Sequence, residues 1–166
     1  CIFAGKSERG TGQPGAIYYK IIEQVPNKVV LPSTVTTIEK RAFGLSSSIK
    51  RVTIPETVTE IGYAAFNECS SLEQVILPSG VKTIGESAFW YCTSLKPVVV
   101  PESVTVIEKE AFAGMCNITK LTVPFIGRTR NVKTDTEEAL LGYWFSMSDD
   151  HDCMYNCFSS LKQIRQ

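Results

Sequence analysis

Pro32, Pro55, Pro78, Pro101 and Pro124 stand 23 residues apart, and the step is not theirs alone. Phe43, Phe66, Phe89 and Phe112 keep it, each preceded by alanine (Ala42, Ala65, Ala88, Ala111). So do Ile38, Ile61, Ile84 and Ile107, and so do Val35, Val58, Val81 and Val104. Three more apolar columns hold the register: Ile49, Leu72, Leu95, Ile118; Val52, Val75, Val98, Leu121; and Ile54, Leu77, Val100, Val123. Columns this numerous in one register define a tandem array. A unit this short cannot bury its own apolar face, so successive units must stack and share one continuous core.

The unit reads S-L-x-x-V-x-L-P-x-x-V-x-x-I-x-x-x-A-F-x-x-C, from Ser71 to Cys92. Leu72, Val75 and Leu77 give it an L-x-x-L-x-L opening, the signature of a leucine-rich-repeat strand. Val75 and Leu77 alternate and so share one strand face. Pro78 ends the strand because it has no N–H for a sheet ladder. Stacked units then align these strands as one parallel sheet, about 4.8 Å apart. Val81 and Ile84 carry the chain back along the far side as a short strand or turn. The stretch around Ala88 and Phe89 is too short for a stable α-helix, and one turn of 3₁₀ is expected there. Its phenylalanines should point inward and form a column along the array. Three residues after each Phe stand Ser46, Cys69, Cys92 and Met115. Cys69 and Cys92 are therefore expected as buried thiols. A disulfide between rungs is disfavoured, because parallel side-chain vectors suit it poorly.

The unit seen in SSLEQVILPSGVKTIGESAFWYC closely resembles the BspA-like (Treponema pallidum-type) leucine-rich repeats. Residues 26–124 fit that pattern in nearly every column, and residues 161–166 fit its strand again. The resemblance implies a β-rich solenoid: a right-handed leucine-rich-repeat superhelix with a parallel sheet and little regular helix. It implies an extracellular or cell-surface protein of the adhesion type. No catalytic residue carries over, because the family motif contains none.

Three segments follow. Residues 1–25 form an N-terminal segment, Gly-rich and polar up to residue 16, with a capping strand expected at 17–22. Residues 26–124 are the repeats. Residues 125–166 are an irregular repeat, since Leu161 follows Ile118 by 43 residues, about 20 more than one period. The extra residues include Tyr143, Trp144 and Phe145, then Asp149, Asp150, His151 and Asp152, then Cys153 and Cys157. Insertions in repeat arrays map to loops on one face and often carry function. Tyr143 and Trp144 are therefore candidate partner contacts; the competing reading is that these rings pack on the solenoid and close a gap. The acidic stretch does not match a calcium loop, which needs a defined Gly and a terminal Glu. Gly10 to Gly15 is formally G-x-G-x-x-G, but no strand precedes it and no helix follows, so a nucleotide site is rejected. The chain opens at Cys1 without a Met and stops at Gln166 just after a strand match, which suggests processing or a piece of something longer. Cys153 and Cys157, four apart, can pair in an oxidising compartment.

The function classes narrow accordingly. Seventeen basic and 17 acidic residues give a formal net charge of zero, so no nucleic-acid partner is expected. No apolar run of about 18 residues exists, so no membrane span is expected. The absence of C-x-x-C excludes a zinc ribbon or a thioredoxin-like motif. No cofactor, no metal and no enzyme activity are expected. If Val75 and Leu77 face inward, Gln74 and Ile76 face out, with Arg51 and Thr53, Pro97 and Val99, Lys120 and Thr122, and Gln163 and Arg165 in the same rows. The candidate contacts are thus Arg51, Thr53, Gln74, Ile76, Val99, Lys120 and Thr122 on the sheet, with Tyr143 and Trp144 in the insertion. The expected partner is a protein or glycan at a cell surface or in the extracellular matrix. Two alternatives remain: a β-helix-type polysaccharide-processing enzyme, for which no column supplies converging charged residues, and a spacer displaying another domain. Asn117-Ile118-Thr119 forms a glycosylation sequon, though Ile118 itself should be buried.

Overall fold

The structure, a computed structural model, describes residues 27–130, 142–145 and 163–165. The N-terminal segment with its capping strand, the Gly10–Gly15 run, the acidic stretch at 149–152, Cys153, Cys157 and Leu161 lie outside the described residues.

The chain winds as a β-solenoid of about four turns. Its front wall is built from β1 (Lys28–Val30), β3 (Arg51–Thr53), β5 (Gln74–Ile76), β7 (Val98–Val99), β9 (Lys120–Thr122) and β10 (Gln163–Arg165). The back wall is built from β2 (Thr37–Ile38), β4 (Glu60–Ile61), β6 (Thr83–Ile84) and β8 (Val106–Ile107). Every strand pair is parallel, and the register follows the period: Arg51 lies opposite Lys28 and Gln74, and Ile61 opposite Ile38 and Ile84. Between front and back strands, the repeated proline carbonyl accepts from the amide three residues on, as at Val81 to Pro78 (3.2 Å) and Val104 to Pro101 (3.1 Å). Proline thus ends the front strand and opens the turn.

A third wall closes each coil. The sequence predicts a 3₁₀ turn here, but the observed arrangement is different. Ala88, Trp90 and Cys92 donate to carbonyls three residues back in their own coil (Gly85, Ser87, Phe89). Ser87, Phe89 and Tyr91 donate instead to Lys109, Ala111 and Ala113 of the next coil. Alternate amides therefore point along the solenoid axis, because the coil above is the only partner available to them. The cost of this alternation is two residues per coil in the left-handed region: Arg41, Ala64, Ser87 and Glu110 in one column, and Leu45, Glu68, Tyr91 and Gly114 in the other.

The apolar columns fill the interior as expected. Phe43, Phe66, Phe89 and Phe112 are buried, with ring centroids 5.0, 5.2 and 6.0 Å apart up the axis. Each such ring contributes about 1.5–3 kcal/mol by area removed from water. Cys69 and Cys92 stand one rung apart as free, buried thiols. Their Sγ atoms donate to the carbonyls of Phe43 and Phe66, both at 3.0 Å. Burial pushes the Cys69 thiol up to about 11 and holds Cys92 well above the ordinary thiol range, with the neighbouring Cys69 adding to the second effect. Cys116 falls one position outside this column and is disulfide-bonded, with its partner outside the described residues.

The fifth coil departs from the period at Phe125, and the helical turn α1 (Gly142–Phe145) takes the place of the missing wall. The Tyr143 and Trp144 carbonyls accept from Glu110 and Phe112, at 2.8 and 3.1 Å. Those are the roles Lys109 and Ala111 play for Ser87 and Phe89 one coil earlier. Trp144 sets its edge against Phe112 (6.1 Å, 88°) and packs near Phe125 (6.4 Å), so the aromatic column continues through the irregular repeat. The front wall then resumes at β10, with Gln163 opposite Lys120.

A second expectation fails. The front wall is not a single sheet. It divides into β1-β3-β5 and β10-β9-β7, and no strand pairing joins β5 to β7, although the back wall runs unbroken through the same two coils at β6 and β8. Pro97 occupies the position at which Arg51 and Gln74 each donate to the preceding coil. It has no N–H, so the first bond of that ladder cannot form.

Candidate interaction face

The front wall presents two rows of outward side chains. The first is Lys28, Arg51, Gln74, Pro97 and Lys120; the second is Val30, Thr53, Ile76, Val99 and Thr122. Arg51, Thr53 and Gln74 are exposed, while Lys120 and Thr122 are half-buried beside β10. Ile76 and Val99 are 60% and 52% exposed, so both are large aliphatic groups left in water. Between them the broken ladder opens a slot of about 250 Å³, walled by Gln74, Ile76, Pro97, Val99 and Pro101 and reaching Val75 and Leu77 on the inner layer. Val75 is half-buried there, whereas Val52, Val98 and Leu121 of its column are buried.

Sequence reasoning missed the lower end of this face. Val30 is 61% exposed and Lys28 exposed, one period before Thr53 and Arg51. The register alone was sufficient to find them. It also missed the aromatic residues of the turn wall. Tyr63 and Tyr91 are 38% and 37% exposed, and Leu45 is 68% exposed. Lys40 and Arg41 lie over the Tyr63 ring at 5.0 and 5.7 Å, and Trp90 sets against Tyr91 at 4.3 Å. Tyr63 shares its column with Lys40, Glu86 and Lys109, and Tyr91 shares one with Leu45, Glu68 and Gly114, so periodicity marks them only as outward.

The two insertion candidates sit apart from the front wall. Tyr143 is half-buried, and its hydroxyl donates to Glu108 Oε2 at 3.3 Å. Arg128 clamps the same carboxylate with two bonds of 3.0 Å. Trp144 is fully buried, which removes it as a partner contact; its ring is spent on covering Phe112. Its indole N–H finds no acceptor among the described residues. The physical reason is the open end of the phenylalanine column, which a large apolar ring covers better than water does.

Polar groups on and beside the face are cations, hydroxyls, the Gln74 carboxamide and the Glu73 carboxylate. Lys50 pairs with Glu73 at 3.2 Å, both half exposed, a pair of small energetic value. Among the described residues, no three His, Cys, Asp or Glu side chains gather as a metal site would require. None of the described helices is long and apolar enough to cross a membrane.

Parallel coils of 23 residues with an L-x-x-L-x-L front strand define a leucine-rich-repeat solenoid. The family model for the BspA type leucine rich repeat region matches residues 20–133, and the chain belongs to that family. A leucine-rich-repeat protein of T. pallidum superposes with a TM-score of 0.59 at 34% identity, over 60% of this chain and 49% of that one. A leucine-rich cell surface protein of Faecalibacterium prausnitzii superposes at 0.68 and 27% identity, over 90% of this chain and 34% of that one. The pneumococcal vaccine antigen PcpA superposes at 0.62 and 26% identity, over 66% and 27%. The chain therefore spans about half or less of the length of these solved structures. No curated protein matches the sequence.

Proposed function

We propose that this chain is a non-enzymatic interaction module of the adhesion type, displayed outside the cell or on its surface, and that it binds through the front wall. The observation that carries this reading is the exposure of Val30, Ile76 and Val99 along the front wall. Neighbouring aliphatic groups left in water on one face, as at Ile76 and Val99, mark a surface suited to a partner. Arg51, Thr53, Gln74, Lys120 and Thr122, joined by Lys28, supply the polar surround of such a contact. Two further facts support the setting. One structural neighbour is described as a cell surface protein and another as a vaccine antigen. The disulfide at Cys116 suits an oxidising compartment.

The experiment is binding of the whole chain to matrix proteins, surface glycans and intact cells, compared with an Ile76→Ser/Val99→Ser variant. Both side chains are exposed, so the variant should fold as the parent does. A partner that binds the parent and loses the variant supports the reading. A partner indifferent to the variant moves the contact off this wall, and binding to none of the three classes sinks the module itself.

A further inference from the structure

The break at Pro97 has a chemical consequence. In a parallel ladder, alternate amides face opposite neighbours. Gln74 donates to Lys50 of the coil before, so the Val75 N–H faces β7, where no strand pairing exists. The slot therefore offers apolar walls at Ile76 and Val99, an apolar floor at Val75, and backbone groups lacking ladder partners.

The charge around it is one-sided. The front wall and the residue preceding each strand carry Lys28, Lys50, Arg51, Lys96 and Lys120, against Glu73 alone, on a chain of zero formal net charge. Arg51 and Lys120 flank the slot, one strand out on either side.

We propose that the slot between β5 and β7 seats one apolar side chain of an extended, acidic protein segment whose carboxylates meet Arg51 and Lys120. This rests on the interaction-module reading and names the partner's chemistry. The spacing is specific. With strands about 4.8 Å apart, Arg51 and Lys120 each stand roughly 7 Å from the slot's midline along the solenoid axis. In an extended peptide, residues two apart are separated by about 6.7 Å and share a face. The matching segment is acidic-x-apolar-x-acidic. A sulfated glycan would answer the charge but has no side chain to enter the slot.

Three peptides and a heparin fragment test this on the full chain; the peptides are a capped Ser-Asp-Ser-Leu-Ser-Asp-Ser peptide, the same peptide with Ser for Leu, and one with Lys for both Asp. Affinity is read by titration, and location by amide NMR shifts. The Leu peptide should bind and move the Val75 and Val99 amides. Removing the Leu side chain should weaken binding at least about tenfold, and the Lys peptide should not bind. Pro97→Gln restores the missing N–H and should weaken the Leu peptide by a similar factor while leaving Ile76 and Val99 in place. Arg51→Ser with Lys120→Ser should weaken both Asp peptides and flatten their salt dependence. Equal binding of the Leu and Ser peptides overturns the proposal. So does a heparin fragment that moves the same amides more strongly, or the absence of any peptide binding. A protein partner that shifts Trp90 and Tyr91 instead overturns the slot while leaving the interaction module standing.

Discussion

The front wall and the turn wall are cut from the same period, yet they use it in opposite ways. Along the turn wall the chain repeats one residue: Phe43, Phe66, Phe89 and Phe112, stacked nearly parallel. Along the front wall the outward row reads Lys28, Arg51, Gln74, Pro97, Lys120. The back and turn walls run through all the regular coils, while the front wall breaks at Pro97 without the coils parting. The lesson is that the solenoid's cohesion lies in its interior and turn wall. The front wall is free to vary, and even to lose a ladder, because the rest of each coil holds the stack.

The largest effect that would break this contrast belongs to the aromatic column. Phe66 has a phenylalanine on both sides, so Phe66→Ala leaves a cavity in the middle of the stack. A loss of about 3–5 kcal/mol in denaturant unfolding is expected. Ile76→Ser on the front wall should change stability by less than about 0.5 kcal/mol. Comparable losses at the two sites would mean that the walls share the load.

The next effect uses pH. A neutral Cys69 is favoured in the folded state, with its thiol raised from 9.0 to about 11. A group whose folded value lies above its unfolded one stabilises fully below the unfolded value. That contribution is lost as pH rises through the folded value. Stability should therefore fall between about pH 9 and pH 11, by roughly 2–3 kcal/mol from this thiol. Cys92 should act in the same direction. The double variant Cys69→Ala/Cys92→Ala, less stable at neutral pH, should show a flatter alkaline limb. An unchanged slope would mean that the thiols do not sense unfolding.

A smaller effect sits at the break itself. Pro97→Gln supplies an N–H where Arg51 and Gln74 have one, and a restored ladder bond is worth about 1 kcal/mol. Unfolding should shift to higher denaturant by up to that amount, less the unfolded-state freedom that proline's fixed φ removes. A destabilised variant would mean that the slot is imposed by something other than the missing donor.

These outcomes bear on how much of the molecule its sequence made legible. The period placed the front strands, the core columns, the thiols of Cys69 and Cys92 and even the returning strand β10, because stacked coils oblige like residues to lie over like. What periodicity hid was where a column's exception matters. Pro97 was visible as an outward residue, but its missing N–H counts only against the partners Gln74 and Arg51 have in their own coils. Trp144 was open to two readings, partner contact or packing that closes a gap, and nothing in a linear reading says that its carbonyl replaces that of Ala111 and its ring covers Phe112. On the front wall, side-chain identity follows no lattice rule, so the candidate residues could be placed in rows but not ranked.

The smallest effect tests the turn wall's own weakness. Its alternating amides force Leu45, Glu68 and Tyr91 to φ of 65°, 56° and 54°, where Gly114 alone in the column escapes the Cβ clash. Leu45 is 68% exposed, so its side chain contributes little burial in return. Leu45→Gly should therefore stabilise by about 0.5–1 kcal/mol: relief of left-handed strain of roughly 1–2 kcal/mol, partly offset by glycine's larger unfolded-state entropy. The reverse change, Gly114→Ala, should cost more than this gain, because a Cβ there would meet the Tyr91 ring as well as the strained backbone. A thermal melt resolves both: the first should rise by a few degrees and the second fall. If Leu45→Gly lowers the midpoint instead, the left-handed positions are held by their neighbours at no net cost. The turn wall would then owe its geometry to more than its hydrogen-bonded ladder to the next coil.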